Sequence, residues 1–339
     1  MKTMLSCASP HLRLAALAVA VALATPLCSP AAPAPAVPEF KVGSSREKNF
    51  GDSPVVIVPT IYLKLPVAGK VSVAKQGSAL SGLGSSGGAN TVRASAHYVV
   101  SGLDKALAQQ LAKKVYDDFV ARLRAAGYTV KTYADIAELE AVKKVERAKP
   151  DAAWGLPVEK DAMGSNALLV ATPSDEQSFK PGFGGAVLAP FQKLGKSTLG
   201  EGTVLIPTYV ITAPQIWGEK GGGYKTISVG INAAPGMNLA SANVLLLTQK
   251  GAWGDATLKS PAINISEQVG QLAMQDTSPG AANAISSALS VLTGTGKISG
   301  KSANYQFTID PAAFEAGVLL GTGGFHAEAM KIIAAARKP

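Results

Sequence analysis

The stretch from Ser101 to Tyr133 constrains the fold more than any other, because start signal, apolar periodicity and stop signal all fall within it. Ser101 stands where a helix N-cap belongs, with Asp104 three residues on as a short capping box and as a negative charge for the positive end of the helix dipole. Leu107, Leu111, Val115, Phe119 and Leu123 then climb in four-residue steps, and Ala108, Ala112, Tyr116 and Val120 widen the same side. Lys113, Lys114, Asp117, Arg122 and Arg124 fall mostly on the opposite flank. Gly127 ends the pattern, since glycine takes the left-handed C′ conformation without steric cost, and Tyr128 folds apolar surface back. A helix over about 102–126 is predicted. Val92–Val100 before it and Tyr128–Tyr133 after it alternate as strands do.

Elsewhere short β runs dominate. Val55–Val67 is apolar but carries Pro59 and Pro66, so it is either an edge strand or a strand broken at Pro59. Ala134–Ala148 has helical spacing, and Ala167–Ala171 reads as a buried strand. Val204–Ala213, Lys225–Ala233 and Ala240–Gln249 read as a meander, and Asn264–Asp276 fits neither pattern cleanly. Ala281–Leu292, Pro311–Leu320 and Phe325–Arg337 read as helices, the second capped by Asp310 with Pro311 at N1. Gln76–Asn90 and Ser174–Gly202 are loops rich in small residues, the second holding a small helical turn. With 35 Gly, 21 Pro and only 16% charged residues, the chain is turn-rich and no helical bundle. The expected class is α/β of the mixed α+β kind, a largely antiparallel sheet packed by the long helix and by carboxyl-terminal helices. The expected organisation is a leader over 1–36, a strand–helix–strand part over 37–150, and a strand-rich part over 151–339, the last two forming either two lobes meeting near Pro150 or one continuous domain.

Lys2 and Arg13 precede the apolar run Leu14–Leu23, with small residues following, which is the pattern of a bacterial secretory signal. Cys28 follows Leu27 and Pro26, where a lipoprotein signal carries a small residue, so lipidation there is not expected. The run falls short of the roughly 20 residues a membrane span needs, and no later run reaches that length. Both cysteines, Cys7 and Cys28, lie in or near this leader. Stability must then come from burial rather than disulfides. The net charge of +9 becomes +7 without Lys2 and Arg13. Outside the cytoplasm this favours an envelope protein, a glycan or an anionic lipid surface as partner over nucleic acid.

Catalytic motifs fail on context. Gly82-Leu83-Gly84-Ser85-Ser86-Gly87 matches a dinucleotide fingerprint in letters and overlaps a G-x-S-x-G, but no strand leads directly in and a β run follows. Gly195-Lys196-Ser197 and Gly300-Lys301-Ser302 lack the first P-loop glycine, with Pro190 and Thr295 in its place. Ser72-Val73-Ala74-Lys75 lies beyond the first strand rather than at a helix start. Once His11 leaves with the leader, only His97 and His326 remain, too few for a zinc site. The carboxylate pairs Asp117-Asp118, Asp175-Glu176 and Glu138-Glu140 read as solvated faces. No catalytic, metal or cofactor residue is assigned and no cofactor is expected. The candidate ligand contacts are Trp154, Trp217 and Trp253, each followed by glycine, because an indole beside a turn can stack on a sugar or sit at a membrane interface; three hairpin ends covering the core explain the same pattern.

The order of strand, long helix and strand, with Leu123-Arg124-Ala125-Ala126-Gly127-Tyr128 at the turn, is similar in outline to small α/β modules of envelope assembly proteins such as the curli-secretion and TolB amino-terminal families. That likeness carries over no functional residue. The expected function is an exported, non-catalytic, periplasmic or secreted envelope protein that binds another envelope component through loops and basic surface. The alternative is a periplasmic or secreted hydrolase with a serine or carboxylate site not evident in the sequence.

Overall fold

Alternation along the strands and four-residue steps along the helices give each element one apolar side, and these sides meet in two clusters on opposite faces of a large sheet. The computed structural model describes residues 38–76, 91–161, 163–180, 191, 202–221, 228–259, 261–275, 296–299 and 302–337. The expected leader at 1–36, the glycine-rich motif at 82–88, the expected helix at 281–292 and most of the 174–202 loop lie outside them. Pro38–Pro339 forms one unit.

In chain order the elements are β1 (Val42–Ser45), a 3₁₀ turn (Glu47–Gly51), β2 (Val55–Val58), β3 (Tyr62–Gln76), β4 (Thr91–Ser101), α1 (Lys105–Ala125), β5 (Thr129–Thr132), α2 (Tyr133–Ile136) and α3 (Glu140–Lys143). There follow β6 (Val158–Lys160), β7 (Asn166–Ala171), β8 (Thr203–Thr212), β9 (Gln215–Gly221), β10 (Ser228–Ala234), β11 (Met237–Leu247), β12 (Trp253–Leu258), β13 (Ile263–Ser266) and β14 (Gly270–Gln275). The chain closes with β15 (Gly296–Ser299), β16 (Ser302–Ile309) and α4 (Pro311–Ala336). Thirteen strands form one sheet whose central path runs β1-β12-β11-β8-β3-β4-β16-β14. Most pairs are antiparallel, while β16 with β4, β2 with β5, and β8 with both β2 and β3 are parallel. A smaller antiparallel sheet, β15-β10-β9, packs against β3 and β4. The class is the expected mixed α/β, with α1 and α4 lying against each other on one face of the large sheet.

The long helix starts at Asp104, whose carboxylate accepts from the Leu107 amide at 2.8 Å. Ser101 is not the cap. Gly102 takes φ +84°, turning the chain before the helix, and the Ser101 hydroxyl lies 2.9 Å from that of Thr308. At the other end Gly127 has φ +85°, with Gly127 N–H to Arg124 O and Tyr128 N–H to Leu123 O, the two bonds of a Schellman stop. Leu111, Val115, Phe119 and Leu123 are fully buried. Each such side chain contributes on the order of 1.5–3 kcal/mol.

Three further expectations are corrected, and one stretch left open by the sequence is resolved. The apolar text over 134–148 is two short helices, because Leu139 between them takes an extended backbone (φ −67°, ψ 126°) and stands as the N-cap of the second. The meander is interrupted: β9 and β10 leave for the small sheet, and β11 returns to pair with β8. The ambiguous 264–276 stretch is two strands, β13 and β14. The two final helices are one, since the glycines between them serve close packing: a side chain at Gly321 would strike Ile265, and one at Gly324 would strike Phe40. The break at Pro59 between β2 and β3 is as expected. No helix among the described residues is long and apolar enough to cross a membrane.

Candidate functional site

The most concentrated chemistry lies inside. His326 falls on the buried stripe of α4 with Phe314, Val318, Phe325, Ala329 and Ile333, and is 0% exposed. Its Nδ1 lies 2.6 Å from Asp118 Oδ2 on α1, and its Nε2 lies 2.5 Å from the hydroxyl of Tyr209 on β8. Asp118 also accepts from Arg122 Nε, one turn on, at 2.8 Å. Phe119 and Phe325 flank the imidazole.

One proton arrangement satisfies every atom. Asp118, charged, accepts from Nδ1–H, and Nε2, a bare lone pair, accepts from the tyrosine O–H. The environment favours it. The hydrogen bond from His326, with that from Arg122, holds the Asp118 carboxyl down at about 2 against the cost of partial burial. Burial pushes the His326 imidazole below its ordinary value, and the neighbouring carboxylate only partly opposes this. Burial, and then the charge of Asp118, raise the Tyr209 hydroxyl well above the usual phenol range. The contact between His326 and Asp118 is therefore a hydrogen bond from a neutral ring near neutral pH, not an ion pair.

An imidazole between a carboxylate and a hydroxyl has the connectivity of an acyl-transfer triad. The third group here is a phenol, itself 0% exposed and packed edge-on to Phe325. Its O–H donates to Nε2 as a nucleophile's would, but the phenol oxygen is enclosed in the core, where no substrate meets it. Asp118, 39% exposed, is the only one of the three that meets solvent. Two surface concavities lie elsewhere, one lined by Glu47, Lys48, Asp52 and Lys331, the other by Gln268, Gln271, Thr308 and Asp310. The arrangement ties α1, α4 and β8 together.

Reading Asp117 and Asp118 as one wet pair is half right. Asp117 lies outward against Lys113 at 2.8 Å, whereas Asp118 turns toward α4. The available signal was His326 within a helical apolar stripe; nothing local marked Asp118 or Tyr209 as its partners.

The tryptophans stand apart, one in the turn before β6 and two on separate strands. Trp154 is half-buried against the main core, beside Gly155 at φ +65°. Trp217 lies within β9 and Trp253 begins β12; they are 43% and 47% exposed. The Arg46 guanidinium covers Trp253 at 4.3 Å from the ring centroid, and Arg46 has φ +53°. His97 is exposed on β4. Among the described residues no three His, Cys, Asp or Glu side chains gather as a metal site.

No protein-family model matches this chain, and neither a curated protein nor a solved structure is found to resemble it.

Proposed function

We propose that the chain is an exported envelope protein that works by contact, holding another envelope component through exposed loops and basic surface. The observation that carries this reading is the use made of His326. Both ring nitrogens are engaged inside the core, so the side chains best suited to acid–base chemistry are committed to joining two helices and a strand. The exposed indoles of Trp217 and Trp253, and a net charge of +7 without Lys2 and Arg13, spread along the chain, are in keeping with a role at the surface.

Co-sedimentation with isolated cell-envelope fractions tests the proposal. The purified chain should pellet with them in about 0.01 M salt and be released near 1 M, where the screening length falls from about 30 Å to about 3 Å. A chain that stays in the supernatant at low salt overturns it.

A further inference from the structure

Past the point where β3 leaves β7, the large sheet continues as β3, β4, β16 and β14, and its two faces differ completely. One is buried under α1 and the small sheet. The other meets solvent, and the registers place its side chains in rows across the strands. One row reads Lys70, His97, Asn304 and Gln275. The next holds Val99 and Gln306, and a third Ser101, Thr308 and Gln271. Arg93 lies four residues before His97 on the same face.

Three features limit what such a face fits. β3, β4, β16 and β14 contain no Asp or Glu, while Lys70 and Arg93 project from this side, so it is basic with no carboxylate of its own. Asp310, which stands beyond β16, is spent capping the Ala312 and Ala313 amides. Second, the polar groups are amides and hydroxyls at the ~4.8 Å strand spacing. Some hold one another in place: Gln275 Nε2 donates to Gln306 Oε1 at 2.7 Å, and Ser101 and Thr308 share a hydrogen bond. Third, among the described residues the face carries no aromatic, because Tyr98 and Tyr305 turn inward, and Val99 is its one large exposed apolar side chain. Nucleic-acid bases would want rings to stack on, and a lipid surface would want apolar side chains to insert.

We propose that this face is a docking surface for an anionic, carboxylate-bearing polysaccharide. Lys70 and Arg93 meet its charges, and the amide and hydroxyl rows meet its sugar hydroxyls. The proposal rests on the contact reading above and names the chemical class of the envelope component.

The test uses the full mature chain and the double variant Lys70→Glu/Arg93→Glu, with alginate as the anionic polysaccharide, dextran as its neutral counterpart and phosphatidylglycerol vesicles as the lipid. Wild type should bind alginate in preference to dextran and vesicles. The double variant should bind it at least about tenfold more weakly, a loss of about 1.4 kcal/mol, with an unchanged melting transition. Should the double variant fold poorly, Lys70→Gln is the milder probe and should weaken binding by up to about fivefold, as loss of one exposed charge pair does. No alginate binding by wild type, equal binding by a folded variant, or binding to vesicles alone overturns the inference. Sedimentation with envelopes is scored in parallel. Wild type that pellets with envelopes yet ignores alginate leaves the contact reading standing and removes this inference; alginate binding through this face without envelope sedimentation does the reverse.

Discussion

β4 passes between two environments one residue at a time. Val100 is 2% exposed and faces the core, whereas Val99 beside it is 56% exposed and faces water. On the inner side a polar atom without a partner costs about 1–3 kcal/mol, so the side chains there form a closed set such as Asp118, His326 and Tyr209. On the outer side exposure removes that demand, since water can serve beside the partners that Asn, Gln, Ser and Thr find in their rows. The inner face is bound by stability; the outer face is open to selection for contact.

The largest test of this contrast is His326→Ala. It strips a partner from Asp118 and Tyr209 at once and opens a cavity beside Phe119, so the unfolding free energy should fall by about 3–5 kcal/mol in urea titration. Two tyrosines then give opposite outcomes from one substitution. Tyr209→Phe leaves Nε2 without its donor and should cost about 1–3 kcal/mol. Tyr305→Phe deletes a buried hydroxyl that has no hydrogen-bond partner, and should leave the melting temperature unchanged or raise it, a gain of up to about 1 kcal/mol. A loss at Tyr305 as large as that at Tyr209 would break the argument that inner-face polar groups are worth what their partners make them.

Acid gives a further test. The folded imidazole value lies below the ordinary 6.5, so as pH falls through that value the unfolded chain takes a proton that the folded chain refuses, and stability drops. Asp118, held near 2, adds a loss of the same sign below its ordinary 3.8. Urea midpoints should decline from about pH 6.5 downward, with a contribution of up to about 1.4 kcal/mol per pH unit from this one histidine, and His326→Gln should flatten that limb. The smallest effect belongs to the outer face: Gln306→Ala should move stability by no more than about 0.5 kcal/mol.

How far the sequence could be read follows the same division between local and distant causes. The buried side of α1 and its stop at Gly127 were legible, since both depend on residues within one or two turns. Its start was misplaced by three residues because Ser101 and Asp104 are each chemically able to cap, and the choice is made by the left-handed turn at Gly102 and by the pull of Thr308 on Ser101. The joining of two helices into α4 was hidden because glycine normally weakens a helix. Gly321 and Gly324 are where Ile265 and Phe40 approach, a fact of packing. The link from His326 to Asp118 spans 208 positions, and that to Tyr209 spans 117, so no spacing rule could show them.

The parallel pairing of β16 with β4 bears on how the molecule comes into being. Residues 302–308 must find residues 95–101, and α4 must then settle on α1, before the core can close. Contacts this far apart in the chain make for slow folding. Until residues 302–308 arrive, β4 has one neighbour missing, and the polypeptide stays pliable along that edge.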